Sequence, residues 1–174
     1  MKAKNITMTG LFAALVFLFT FTFKVPEGGM LGYAHLGDMF IIISVWMLGR
    51  KYAPFAAGIG AAIADIASGF AVWALPTFVI KFVFAALIGL VAEKYGEGRF
   101  RGFLLGGLIG GVFHVAAYSV VWVVVGGIAT AISALLPLAM QTLIGYVLGN
   151  IMVNRLEASK IGNRLKEMAQ GGLE

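Results

Sequence analysis

The sequence predicts an all-α integral membrane protein with six transmembrane helices. Hydrophobic residues make up 60% of the 174 residues, and the mean hydropathy is +0.95. Such a composition, distributed over several long apolar runs, is typical of a polytopic membrane protein and not of a soluble domain. The 24 glycines favour close helix packing, as in membrane bundles. Without cysteine, disulfides, thiol nucleophiles and thiolate metal sites are excluded.

The apolar runs define one transmembrane domain over residues 1–174, with residues 154–174 as a cytoplasmic tail. Each run is long enough to cross a bilayer as a helix, with ends that the pattern places within a few residues. The predicted spans are residues 6–23, 34–49, 54–72, 77–92, 102–125 and 131–153.

The basic residues sort to one side of the membrane if the six spans alternate in direction. They are Lys2, Lys4, Arg50, Lys51, Lys94, Arg99, Arg101, Arg155, Lys160, Arg164 and Lys166. The opposite side carries only Lys24, with Glu27 close by. By the positive-inside rule, both termini are cytoplasmic. We expect the chain to lie in the plasma membrane of a prokaryote. The net charge of +5 then reflects topology rather than nucleic-acid binding.

Two charged residues interrupt the apolar sequence around the third connection. Asp65 precedes a turn bracketed by Gly69 and Pro76, and Lys81 follows it. If the turn forms the tip of a helical hairpin, both charges lie roughly 10 Å below the same rim at 1.5 Å per residue. A charge at that depth is costly, so the two side chains either form a pair, line a polar cavity, or both.

Polar and aromatic residues of other spans lie at a similar depth. Asp65, Lys81, Tyr118 and Gln141 come from four spans, and His114 is slightly deeper. A second group lies nearer the outer rim: Trp73, Trp122, His35 and Asp38. These residues predict a binding cavity that opens to the outside and holds a flat heterocycle between aromatic faces. The alternative is an internal Asp65–Lys81 ion pair with scattered interfacial aromatics.

Small residues mark two further features. Gly28, Gly29 and Gly32 make the first outer connection pliable, so it is either a linker or a lid over the cavity. Gly10 and Ala14 lie four apart on one face of the first span. That face packs either against another span of this chain or against a separate membrane subunit.

Motifs of catalysis are missing from the sequence. It has no P-loop, no His-Glu-x-x-His zinc motif and no nucleophile elbow. The sequence therefore predicts neither an enzyme nor a bound cofactor or metal. Uphill transport would need energy from a partner or from an ion gradient.

Several runs together resemble the substrate-binding (S) components of energy-coupling factor (ECF) vitamin transporters. The resemblance is nearest to the branch for riboflavin, hydroxymethylpyrimidine and pyridoxine, and it is carried by spans one to four. The runs are His35-Leu36-Gly37-Asp38, Gly49-Arg50-Lys51-Tyr52, Gly58-Ile59-Gly60-Ala61-Ala62-Ile63-Ala64-Asp65, Gly69-Phe70 and Pro76-Thr77-Phe78-Val79-Ile80-Lys81.

The resemblance implies six helices, a site near the outer face and a lid from the first outer loop. It also implies partners: a transmembrane coupling subunit (T component) and two cytoplasmic ATPases. The family docks through two alanines four apart on the first helix, and here Gly10 replaces the first while Ala14 supplies the second.

We therefore expect a subunit that captures a small vitamin or precursor, with hydroxymethylpyrimidine or pyridoxine favoured over riboflavin or another vitamin. Three alternatives remain open at this point. One is a self-sufficient proton-coupled carrier that uses Asp65 and His114. The others are a membrane-embedded enzyme acting on a lipid and a purely structural membrane subunit.

Overall fold

The computed structural model describes residues 3–27, 32–96 and 99–170. These residues form a helical bundle with one small β-hairpin at one end. In chain order the elements are α1 (Ala3–Thr22), β1 (Lys24–Glu27), β2 (Gly32–His35), α2 (Gly37–Ala67), a 3₁₀ turn (Ala71–Trp73), α3 (Ala74–Gly96), α4 (Phe100–Glu157) and α5 (Lys160–Gln170).

Two glycines break the longest helices. Gly49 in α2 (φ 68°) and Gly127 in α4 (φ 80°) adopt a left-handed conformation that residues with a Cβ rarely take. They divide these helices into residues 37–48, 50–67, 100–126 and 128–157. The halves of α4 run antiparallel, because Tyr146 donates its hydroxyl to the Leu104 carbonyl at 3.3 Å. The connections that we predicted near residues 50–53 and 126–130 are thus single-residue turns.

The surface of the bundle is rich in large apolar side chains. Three described stretches are long and apolar enough to cross a membrane, namely Ala3–Thr22, Ala71–Gly96 and Phe100–Glu157. Side chains such as Val124 and Leu136 on α4 are more than 70% exposed. So much exposed apolar surface belongs in lipid rather than in water. The chain is therefore a predominantly helical membrane protein.

The helix boundaries differ from the prediction at the end that carries the hairpin. Residues 32–35 pair as a strand with β1, so α2 begins at Gly37 and not at residue 34. The preceding helix ends at Ala67 rather than at residue 72, because Gly69 (φ 85°) turns the chain. The short 3₁₀ turn then leads into α3, with Pro76 in its first turn, where proline is tolerated.

The first outer connection is an ordered hairpin where it is described. Lys24 pairs with His35, and Glu27 pairs with Gly32. Gly32 therefore belongs to a strand and not to a loop, whereas Gly28 and Gly29 lie outside the described residues. The expectation of an all-α chain missed this hairpin, which runs from α1 to α2 beside the cluster of Trp73, Tyr118 and Trp122.

The C-terminal segment does not extend into solvent as a simple helix end. The chain turns at Ala158 and Ser159, and α5 packs back against α2. Ala169 is buried, and the Lys166 ammonium lies 5.0 Å from the centre of the Trp46 ring. Burial against the bundle lowers the pKa of Lys166.

The helices approach one another closely at glycines. At Gly60 in α2, an added Cβ would lie 2.3 Å from the Ala13 carbonyl oxygen of α1, whereas at Gly10 it would meet nothing within 4 Å. Gly60→Ala should therefore lower the free energy of unfolding by about 1–3 kcal/mol through overpacking.

Thermal unfolding in detergent, followed by circular dichroism, measures this effect. Gly10→Ala is the matched control and should be neutral or slightly stabilising, because alanine favours the helix. Equal stability of the two variants would contradict the close α1–α2 contact.

Candidate functional site

A fully buried ion pair lies in the bundle below the hairpin. Lys81 of α3 donates from Nζ to Asp38 Oδ1 in the first turn of α2, and both side chains are inaccessible to solvent. We expected Asp38 at the outer rim. There its negative charge would interact favourably with the positive end of the helix dipole. It does occupy the first turn, but its carboxylate points into the core. Two opposite charges without water must neutralise each other, so this contact fixes α2 against α3.

His114 extends the ion pair into α4. Its Nε2 lies 2.7 Å from Lys81 Nζ, and its Nδ1 lies 2.8 Å from Thr142 Oγ1. The Thr142 hydroxyl donates to the Leu138 carbonyl oxygen at 2.8 Å, so it accepts from the imidazole. We therefore assign a neutral His114 with its proton on Nδ1 and Nε2 accepting from Lys81. Both ring nitrogens of this buried histidine are used inside the core.

Gln141 of α4 connects the ion pair to the hairpin. Its Nε2 donates to Asp38 Oδ2 at 3.0 Å, and its Oε1 accepts from the His35 backbone N–H at 3.1 Å. Removal from water and the positive charge of Lys81 lower the pKa of His35 to about 3, so the imidazole is neutral at pH 7. Its Nδ1 accepts from the Gly37 N–H at 3.1 Å.

A cavity of about 30 Å³ lies between the hairpin and this network. That volume suits about two water molecules. Aromatic and polar side chains from the hairpin and from α2, α3 and α4 surround it. The lining residues are Tyr33, His35, Asp65, Trp73, Thr77, Tyr118, Trp122, Leu138 and Gln141.

One wall of the cavity is a buried carboxylate. Asp65 Oδ1 accepts a 2.7 Å hydrogen bond from the Tyr33 hydroxyl, which connects the end of α2 to the hairpin. Burial and the neighbouring carboxylate raise the pKa of Tyr33 above its ordinary value of 10.0, so the hydroxyl stays a donor at neutral pH. Asp65 Oδ2 is buried and has no well-aligned hydrogen-bond partner among the described residues, and the Thr77 hydroxyl also interacts with this carboxyl group.

Another part of the lining is aromatic. The rings of Trp73 and Trp122 lie 4.5 Å apart at an interplanar angle of 54°, and Tyr118 lies 6.3 Å from Trp73. The Tyr118 hydroxyl donates to Thr77 Oγ1 at 3.0 Å, which holds its ring in place. A flat ring entering this cavity would meet both aromatic side chains and the Asp65 carboxyl group.

The structure separates the predicted site residues into two layers. Six of them line the cavity: His35, Asp65, Trp73, Tyr118, Trp122 and Gln141. Lys81, Asp38 and His114 lie in the network beneath it. The Asp65–Lys81 ion pair that we considered as the alternative to a cavity is not formed, because Lys81 pairs with Asp38; the sequence alone does not show which acid faces the lysine.

Three lining residues were not predicted from the sequence. Tyr33 lies in the hairpin, which the sequence suggested only as a pliable connection. Thr77 and Leu138 carry little chemical signal, because threonine and leucine are common in membrane helices. Thr77 could have been noticed from its position one turn before Lys81, on the same helical face.

Comparison with known families adds an independent observation. Residues 1–158 match the family described as "ECF-type riboflavin transporter, S component". The chain belongs to this S component family. It is thus a transporter subunit and not an enzyme, as the sequence predicted.

Two relatives of this S component cover most of its length. An "Uncharacterized protein in gap 3'region" of Pyrococcus woesei is 30% identical over 130 residues, which is 75% of this chain and 86% of the relative. The "Thiamine precursor transporter HmpT" of Lactococcus lactis subsp. cremoris (strain MG1363) is 26% identical over 166 residues, 94% of each chain.

The buried ion pair of the S component predicts the outcome of neutralising one partner. Lys81→Met leaves the Asp38 carboxylate buried without its cation, which should cost about 3–5 kcal/mol of unfolding free energy. Thermal unfolding in detergent measures the loss.

Arg50→Met is the matched control. Arg50 and Glu93 form a 2.6 Å ion pair whose side chains are 56% and 49% exposed, and such pairs contribute about 0–1 kcal/mol. If Lys81→Met unfolds at the same temperature as Arg50→Met, the ion pair in the core does not stabilise the bundle.

Proposed function

We propose that this S component captures a small vitamin or vitamin precursor with a flat ring on the outer side of the plasma membrane. The observation that carries this proposal is the cavity beneath the hairpin, which is lined by aromatic side chains and by the Asp65 carboxyl group. Ligand sites in helical membrane proteins are built in this way, from facing helices with few polar groups among apolar ones. Because the chain belongs to the S component family, this binding serves transport.

The proposed topology has six spans and both termini in the cytoplasm. The two breaks at Gly49 and Gly127 support it, because they divide the described bundle into six helical stretches before α5. The basic residues near Arg50, Lys94 and Arg155 then share the cytoplasmic side. The hairpin and its cavity lie at the other end, so the site faces outward.

A single-ring ligand suits the cavity best. Any vitamin must enlarge a cavity of about 30 Å³, and one ring requires less displacement than the three fused rings of riboflavin. The thiamine-precursor name of the Lactococcus relative points in the same direction. We therefore favour hydroxymethylpyrimidine or pyridoxine as substrate, with riboflavin, the vitamin in the family's name, as the alternative.

The hairpin is positioned to act as the lid. It contacts the site through two hydrogen bonds, Tyr33 to Asp65 at 2.7 Å and the His35 backbone to Gln141 at 3.1 Å. Entry of a ligand requires these two contacts to open, while the Asp38–Lys81 pair beneath can remain closed. The hairpin can therefore move as a lid while the Asp38–Lys81 pair beneath the cavity stays in place.

The face of α1 that carries Gly10 and Ala14 is proposed to dock a T component, which works with two cytoplasmic ATPases. Both residues are exposed, so neither is buried against another described helix. An added Cβ at Gly10 would meet nothing within 4 Å. Small exposed residues four apart let a partner helix approach closely within the bilayer.

The alternative of a proton-coupled carrier fits the geometry less well. It would need His114 to exchange protons, but both of its ring nitrogens are bonded to Lys81 and Thr142 inside the core. Uptake into liposomes under a pH gradient, without ATPase subunits, distinguishes the two functions. The capture subunit should give none.

Binding to detergent-purified protein tests the proposed function. Calorimetric titration with hydroxymethylpyrimidine, pyridoxine, thiamine and riboflavin should show one ligand that binds with a Kd below about 1 μM. If none of them reaches this affinity, the proposed ligand class is wrong.

Tryptophan fluorescence provides a site-specific prediction. Trp73 and Trp122 line the cavity, whereas Trp46 lies against Lys166 of α5. A bound ring should therefore change the emission of the wild-type protein and of Trp46→Phe to a similar extent. The double variant Trp73→Phe, Trp122→Phe should lose most of the change. Persistence of the full change in the double variant would place the ligand elsewhere.

A further inference from the structure

The two oxygens of the Asp65 carboxyl group differ in their contacts. Oδ1 accepts from Tyr33, while Oδ2 is buried without a well-aligned hydrogen-bond partner among the described residues, and the Thr77 hydroxyl also interacts with the carboxyl group. The whole residue is only 6% exposed and lines the cavity. A buried carboxylate oxygen left unpaired is costly. It marks the position where a ligand can supply the missing donor.

The positive charges near the cavity are already engaged. Lys81 is paired with Asp38 and touches His114. Lys24 donates to Ser68 Oγ at 2.9 Å, and its ammonium lies 4.2 Å from the centre of the Phe21 ring. Among the described side chains that line the cavity, Asp65 is the one with a charge, and that charge is negative.

The other lining groups restrict which part of a ligand can carry the hydrogen-bond donor for Asp65. Trp73, Tyr118 and Trp122 line the cavity together with Asp65, and a flat ring that stacks on an aromatic side chain presents its hydrogen-bond donors at its edge. Aromatic faces also attract a positively charged ring. A carboxylate or phosphate on the ligand at this edge would instead meet Asp65 as a like charge.

We propose that Asp65 selects ligands whose flat ring presents an N–H donor at its edge, such as an amino-substituted or protonated ring nitrogen. This inference rests on the proposed function and names the ligand chemistry that the site prefers. The ring N–H donates to Asp65 Oδ2, while Tyr33 continues to hold Oδ1. Asp65 thereby discriminates between rings of nearly the same size and shape.

The test compares two probes that differ only in the donor. One is 4-amino-5-hydroxymethyl-2-methylpyrimidine, and the other carries hydrogen in place of the 4-amino group. The wild-type full-length chain in detergent should bind the amino probe about 10- to 100-fold more tightly, because hydrogen bonds to charged groups have that magnitude. Asp65→Asn should remove most of this ratio by weakening the amino probe alone.

Glu93→Gln is the matched control, because it removes one carboxylate that lies outside the cavity and is bonded to Arg50. It should keep the wild-type ratio. Thermal unfolding of Asp65→Asn should remain a single transition, which shows that the variant is folded.

The outcomes separate this inference from the proposed function. Equal affinity of the two probes for the wild type, or an unchanged ratio in Asp65→Asn, overturns the role of Asp65 but leaves vitamin capture standing. If neither probe nor pyridoxine, thiamine or riboflavin binds, both the inference and the proposed function fail.

Discussion

The ion pair between Lys81 and Asp38 is the contact on which the arrangement of this bundle depends. Both charges are removed from water, so each requires the other at close range. Lys81 belongs to α3 and Asp38 to the start of α2, while His114 and Gln141 of α4 complete the polar shell. Four helical stretches are thus fixed at one depth. Gly145 makes this possible, because a Cβ there would lie 2.6 Å from the Asp38 Cβ.

The pair also determines the character of the cavity above it. Since Lys81 is neutralised by Asp38, the polarity available to a ligand comes from Asp65 and from uncharged groups. Gln141 connects the ion pair to the hairpin, because its side chain is hydrogen-bonded both to Asp38 and to the His35 backbone. Displacing the hairpin breaks the hydrogen bonds of Tyr33 to Asp65, of the His35 backbone to Gln141 and of Lys24 to Ser68. It leaves the Asp38–Lys81 pair in place. The bundle can thus combine a fixed buried ion pair with a hairpin that moves.

The membrane class could be predicted from the sequence, because hydropathy is a local signal, and the family could be predicted from the runs that resemble it. Helix geometry placed Asp65, Tyr118 and Gln141 at a similar level, but it left Asp38 near the rim, whereas its carboxylate points into the core. The pairing of Lys81 with Asp38 rather than Asp65 could not be predicted, because it depends on how the helices are rotated against each other. The hairpin was missed for a related reason: Lys24–Glu27 and Gly32–His35 are short strands whose partner is visible only in three dimensions.

The most direct test of this account is an experimental structure of the chain with its bound ligand, identified by mass spectrometry of molecules that co-purify with it. The account predicts Lys81 Nζ still against Asp38, and a ring N–H of the ligand within about 3 Å of Asp65 Oδ2. A ligand bonded to Lys81, with Asp38 displaced from the ammonium, would contradict it.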